Sequence, residues 1–255
     1  MLKAYIEQRR REKELLLMTH IVLGYPNFDD SLRAIEQMVN AGVDLMELQI
    51  PFSEPMADGP VILKANALAL EAGATVEGCL RLAEKVTKEF DIPFLFMTYY
   101  NIVFNQGVSD FVETMKSIGI QGAIIPDLPP EEGEQYLWAM KQNSLAPVHI
   151  FTPNSSDERM RQLSNCSDGF IYAVARKGVT GKATAFSSDL DGYLERCRKA
   201  TDLPLAVGFG VSSKDDVDFI RGKADIAVIG SQSIRVMEQQ GVNALGSFIS
   251  GLNVS

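Results

Sequence analysis

The stretch VDLMELQIPFSEPMADGP, residues 43–60, runs a buried-looking strand directly into a loop that carries several carboxylates. Read with period two, Val43, Leu45, Glu47 and Gln49 share one side of the strand, and Asp44, Met46, Leu48 and Ile50 share the other. Both sides are mostly apolar, as in parallel strands covered on both faces. Burial near the end of such a strand is expected to disfavour the charged form of a carboxyl such as Glu47, which suits it to give and take a proton. The competing reading is an acid that emerges into water at the strand's end. Pro51 and Pro55 stiffen the exit, Asp58 and Gly59 make a turn, and Pro60 suits the first position of a helix. A second carboxylate, Asp58, is therefore expected close to the first.

Glycine carries a second chemistry. Turns after the sixth, seventh and eighth expected strands contain Gly178-Val179-Thr180-Gly181, Gly208-Phe209-Gly210 and Gly230-Ser231. Glycine lets backbone N–H groups approach an anion closely, and the last pair opens a helix whose dipole favours negative charge. Each turn alone reads equally well as a tight connection; together they point to a phosphate held by backbone amides. The segment GFGVSS from Gly208 lacks the third glycine of a dinucleotide fingerprint and lies far from the first βα unit, so no nicotinamide site is expected. Cys79, Cys166 and Cys197 are scattered with no CxxC pair, and His20 and His149 lie in apolar strand-like segments, so neither a disulfide framework nor a metal site is expected.

The elements that must position these residues alternate along the chain. An amphipathic helix over 2–13 precedes strands starting near residues 15, 43, 93, 122, 147, 169, 204 and 224. Helices follow them, among them one capped by Asn27 or Asp29 and ending at Asn40, one from Pro60, one capped by Thr75, and others near 109–118, 130–142, 156–164 and 188–200, then from Ser213 and Ser231. Eight βα repeats in one chain of 255 residues predict a single-domain (β/α)8 TIM barrel over 1–255 with an extra N-terminal helix. A doubly wound open sheet is the alternative. In a barrel the carboxyl ends of the strands carry the chemistry, and Glu47, Tyr99, Asn101, Asp127 and Tyr172 all fall at such ends.

Composition narrows the partners. A net charge of −9 argues against non-specific binding to nucleic acid or an anionic membrane. The basic run Arg9, Arg10, Arg11 and Lys13 reads as a solvated helix face. There is no signal-like segment and no apolar run of membrane-spanning length, so a cytoplasmic address is expected.

The motifs ELQIPFSEPMADGPVI (47–62), MTYYN (97–101), PDLPPEE (126–132), GVTG (178–181), VGFGVS (207–212) and IGS (229–231) together resemble the tryptophan synthase alpha subunit family, in order and spacing, over essentially the whole chain. The resemblance implies cleavage of indole-3-glycerol phosphate to indole and glyceraldehyde 3-phosphate without cofactor or metal. It also implies a pyridoxal-phosphate beta subunit as partner in an alpha2beta2 complex; the alternative is a stand-alone lyase that releases indole. By position it implies Glu47 as general acid/base, Asp58 as the carboxylate engaging the indole N–H, and Tyr172 beside the reacting glycerol carbon. It further implies Gly181, Gly210, Gly230 and Ser231 as the phosphate cradle, and His20, Tyr99 and Asp127 as lining of the indole pocket. Gln49 stands where the family usually has glycine, Glu54 where it usually has aspartate, and His20 where it usually has an aromatic. Pro51, Glu54, Asn101 and Phe104 are expected at the mouth that meets the partner.

Overall fold

The computed structural model describes residues 2–174, 188–208 and 210–252. Its strands are β1 (Leu16–Val22), β2 (Leu45–Gln49), β3 (Phe94–Met97), β4 (Gly122–Ile124), β5 (Ala146–Val148), β6 (Ile150–Phe151), β7 (Ile171–Val174), β8 (Leu205–Gly208) and β9 (Ile226–Ile229). All neighbours pair in parallel, in the order β5-β4-β3-β2-β1-β9-β8-β7-β6. The two ends of that order are halves of one run of chain. Ala146–Val148 pairs with β4, Ile150 and Phe151 pair with β7, and the intervening His149 carbonyl accepts from Tyr172 N–H at 3.0 Å. The sheet is thus a nearly closed barrel of eight runs, and the open-sheet alternative falls because its two edges are the same segment.

The helices are α1 (Leu2–Arg9), α2 (Phe28–Asn40), α3 (Pro60–Glu71), α4 (Val76–Glu89), α5 (Tyr100–Gln106), α6 (Val108–Ser117), α7 (Glu134–Gln142), α8 (Asp157–Asn165), α9 (Ser188–Ala200), α10 (Lys214–Ile220), α11 (Ser231–Gln240) and α12 (Ala244–Gly251). Side chains fix several starts: Asn27 accepts from Asp30 N–H, Thr75 from Gly78 N–H and Ser156 from Arg159 N–H, and Ser213 with Asp216 forms a reciprocal capping box. Three differences from the expected elements stand out. α5 and α12 were not anticipated, and α7 begins at Glu134 because the Pro129–Glu132 and Pro130–Gly133 backbone bonds turn the preceding chain first.

Period two sorts each strand between two cores. Leu16, Met18, Leu45, Leu95, Ile124, Val148, Ala206, Ile226 and Val228 fill the barrel, whereas Leu17, Ile21, Met46, Leu48, Phe94, Phe96 and Val207 pack under the helices. Val43 packs with the outer set, against expectation, since β2 starts only at Leu45. α1 stoppers the amino end of the barrel with Leu2 and Ile6. It is pinned there by Asp44, whose carboxylate has a fully buried side chain and accepts from Arg9 at 3.0 Å, Lys13 at 2.9 Å and Leu17 N–H at 3.0 Å. Arg9 and Lys13 of the basic run are therefore structural cations rather than free surface charges. Among the described residues, no helix is long and apolar enough to cross a membrane.

Candidate active site

The inner face of each strand continues upward from the apolar layers into polar ones. On β1 the alternation that buries Leu16 and Met18 brings His20 inward; on β2 it follows Leu45 with Glu47 and Gln49; on β7 it points Tyr172 inward. His20 and Glu47 are register partners on adjacent strands, so their side chains meet by construction of the sheet. The His20 Nδ1 lies 3.0 Å from Glu47 Oε1, and the Tyr172 hydroxyl, from the far wall, donates to the same oxygen at 3.3 Å. Glu47 and His20 are each 2% exposed, and Gln49 is fully buried. The expected solvent-facing alternative for Glu47 is thereby excluded.

Asp58 joins this cluster through Gln49, whose Nε2 donates to Asp58 Oδ2 at 2.7 Å. The loop is set by Asp58 N–H bonding to Pro55 O and by Tyr99, buried at the end of the β3 run, whose hydroxyl accepts from Ala57 N–H at 3.1 Å. Tyr99 also stacks on Phe52, with ring centroids 5.2 Å apart. Burial is the largest influence on Asp58 and raises its pKa, with the Glu47 charge adding, against lowering by the Gln49 hydrogen bond and by His20. Burial alone would lower the His20 pKa, yet the bond to Glu47 and the charges of Glu47 and Asp58 carry it above the ordinary imidazole value. The Tyr172 hydroxyl is driven far above its ordinary pKa by burial and then by Glu47, so it stays an O–H donor.

Three buried polar atoms of this cluster have no hydrogen-bond partner among the described residues: Glu47 Oε2, His20 Nε2 and Gln49 Oε1. Buried polar groups are normally paired, so such a concentration marks a place built to receive a polar ligand. Gln49 was not anticipated as a site residue.

The glycine turns divide. Gly178 and Gly181 lie outside the described residues. Gly208 serves another purpose: a Cβ there would meet the Tyr172 ring at 2.4 Å, so it makes room for that side chain. Gly210 has φ +85°, a conformation open to glycine. Gly230 precedes α11, whose amino end has no side-chain cap, and a methyl on it would lie 3.9 Å from His20 Cβ, so this helix end adjoins the carboxylate cluster. Other expected residues are not gathered in. The Asp127 carboxylate accepts from Tyr100 N–H at 2.9 Å and so caps α5, in the wall of a separate cavity of about 290 Å³ shared with His149 and Arg159. Asn101 lies within α5, exposed and bonded to Asn105, and Pro51 is buried rather than presented at the mouth.

A family model described as tryptophan synthase alpha chain matches residues 6–247. The tryptophan synthase alpha chain of Desulforapulum autotrophicum is 63% identical over 252 residues, covering 99% of this chain and all of that one. That of Syntrophotalea carbinolica is 57% identical over the same coverage. A solved structure of Mycobacterium tuberculosis tryptophan synthase superposes with a TM-score of 0.91 at 31% identity, covering 98% of this chain and 96% of that one. On this similarity along its full length, the chain belongs to the tryptophan synthase alpha chain family.

Proposed function

We propose that the protein cleaves indole-3-glycerol phosphate to indole and glyceraldehyde 3-phosphate, with Glu47 moving the protons. The observation that carries this reading is a carboxyl buried at the barrel's carboxyl end with Oε1 held by His20 and Tyr172 and Oε2 unpartnered. Protonation of indole C3 by Glu47 makes the ring cationic. The glycerol hydroxyl then gives its proton to the Glu47 carboxylate, its oxygen forms the aldehyde carbonyl, and the electrons of the C3–carbon bond return to the ring. One proton enters at C3 and one leaves the hydroxyl, so the site ends as it began. Asp58, anchored by Gln49, accepts the indole N–H and offsets the ring charge; Tyr172 steadies Glu47 beside the reacting carbon. Gly181, Gly210, Gly230 and Ser231 hold the phosphate, His20 and Tyr99 border the indole, and the α11 N-terminus supplies dipole and amides.

The chain acts as one domain in the cytoplasm, paired with a beta subunit. The exposed Met56 and Phe104, and a cavity of about 210 Å³ formed by Phe52, Glu54, Pro55, Met56 and Leu63, offer that partner an apolar surface. Glu47→Gln tests the reading. It keeps shape and hydrogen bonding but exchanges no proton, so analogue binding should persist while kcat falls by roughly 10²–10⁴. A variant within about threefold of the parental kcat would remove Glu47 from the mechanism. Lyase turnover with and without added beta subunit separates a paired subunit from a stand-alone enzyme.

A further inference from the structure

We infer that His20 is a positioning residue for the lyase reaction, fixing Glu47 so that proton transfer runs through Oε2. This rests on Glu47 being the proton-moving group. A glutamate has three rotatable bonds, and a carboxyl free to turn would present either oxygen to the substrate at a variable angle. Here both anchors fall on one atom. His20 Nδ1 reaches Oε1 at 3.0 Å and the Tyr172 hydroxyl reaches it at 3.3 Å, while Oε2 is buried without a partner. The two anchors are unequal: the tyrosine contact is long for O–H···O and spans the barrel, whereas the histidine contact has ordinary length and comes from the strand in register with Glu47. His20 is itself 2% exposed on a central strand, which leaves it little freedom to turn away.

The assignment of atoms follows. The Tyr172 hydroxyl, held well above its ordinary pKa by burial and by Glu47, remains a donor, so Oε1 is an acceptor. A proton on His20 Nδ1 donates to the same oxygen, and in that state the mobile proton of the carboxyl belongs on Oε2, whether Glu47 is about to give it or has just taken it. The groups facing His20 are Glu47 and Gln49 from β2, Asp58 from the following loop, Tyr172 from β7 and the uncharged Gly230 from the start of α11. The carboxylates oppose the burial that would otherwise lower the His20 pKa, and hold it above its ordinary value.

His20→Phe keeps a planar ring and removes Nδ1. The expected result is a kcat lower by about tenfold to a hundredfold, the worth of one hydrogen bond to an ionised group, with the affinity for a non-reacting glycerol-phosphate analogue within about threefold of the parent. His20→Asn, whose amide N–H₂ branches from Cγ where Nδ1 does, should recover most of the rate. A second measurement needs no His20 variant. The chain has 2 histidines, and His149 titrates separately at about 4, so the imidazole nitrogen resonances of His20 can be followed alone. Glu47→Gln should move the His20 titration to lower pH. A His20→Phe enzyme with parental kcat, or a His20 titration unmoved by Glu47→Gln, would overturn the inference. If Glu47→Gln itself keeps parental kcat, the underlying catalytic reading has failed instead; if Glu47→Gln is inactive and His20→Phe is not, the positioning role alone is wrong.

Discussion

Gly208→Ala perturbs the site without touching a charged group. A Cβ at that position would lie 2.4 Å from Cε1 of Tyr172, 2.6 Å from its hydroxyl and 2.8 Å from Cζ. To regain an ordinary carbon–carbon separation of about 3.5 Å, the ring must retreat by about 1 Å. Its hydroxyl already stands 3.3 Å from Glu47 Oε1, so that retreat breaks the bond. If the ring stays, overpacking costs about 1–3 kcal/mol, and in a chain of this size each kcal/mol lowers Tm by roughly 2–4 °C. If the ring moves, the strain is relieved and the loss appears as about a tenfold fall in kcat, one charge-assisted hydrogen bond. The assay is a thermal melt and single-turnover lyase kinetics on the same preparation, with Gly230→Ala as the stability control. Gly230 has φ −106° and its nearest neighbours would be 3.9 Å from a new methyl, so its Tm should stay within about 2 °C of the parent. A Gly208→Ala protein with parental Tm and parental kcat would refute the reasoning.

Two further outcomes depend on pH. Burial holds the Asp58 pKa above its ordinary value, so Asp58 favours the folded state in acid and that contribution is lost as pH rises through the raised value; Asp58→Asn should therefore gain Tm relative to the parent as pH rises out of the acid range, while losing substrate affinity and rate. A Tm difference that is flat across pH would contradict the shift. His149 is held neutral, its pKa lowered to about 4 chiefly by burial and then by Arg159, against Glu131. Its contribution to stability is present above the ordinary imidazole pKa and lost as pH falls toward about 4, so acid unfolding should track the His149 resonance, and a titration at the ordinary imidazole value would refute it.

The strands and the acidic exit were legible because both are local. Alternation in 45–50 placed Glu47 on the interior face, and Pro60 marked where the next helix begins. What the sequence could not carry was register. The pairing of His20 with Glu47 depends on how β1 lies against β2, and a slip of one residue would send either side chain to the other face. Gln49 could be seen only as an odd residue, because its partner Asp58 is supplied by loop geometry. α5 escaped notice for a related reason: the carboxylate that caps it, Asp127, arrives from the end of another strand. The family resemblance placed Asp127 in the indole pocket, and its carboxylate caps a neighbouring helix. Gly208 was legible as a glycine but not as a notch for Tyr172, a contact made between β7 and β8.

The stopper at the amino end of the barrel bears on the order in which the chain acquires its shape. α1 is synthesised early, but Leu2 and Ile6 join a barrel core built from β1, β2, β3, β4, β5, β8 and β9, a seat that does not exist until nearly every strand has been made and paired. The helix has to wait, as a short segment with little stability of its own. Asp44 shares that delay. Until α1 arrives it has no Arg9 beside it, and its carboxylate gains that cation only as the helix covers it. Docking of the earliest helix is thus expected among the last events of folding, as the step that seals an otherwise complete barrel and leaves the catalytic end its open mouth.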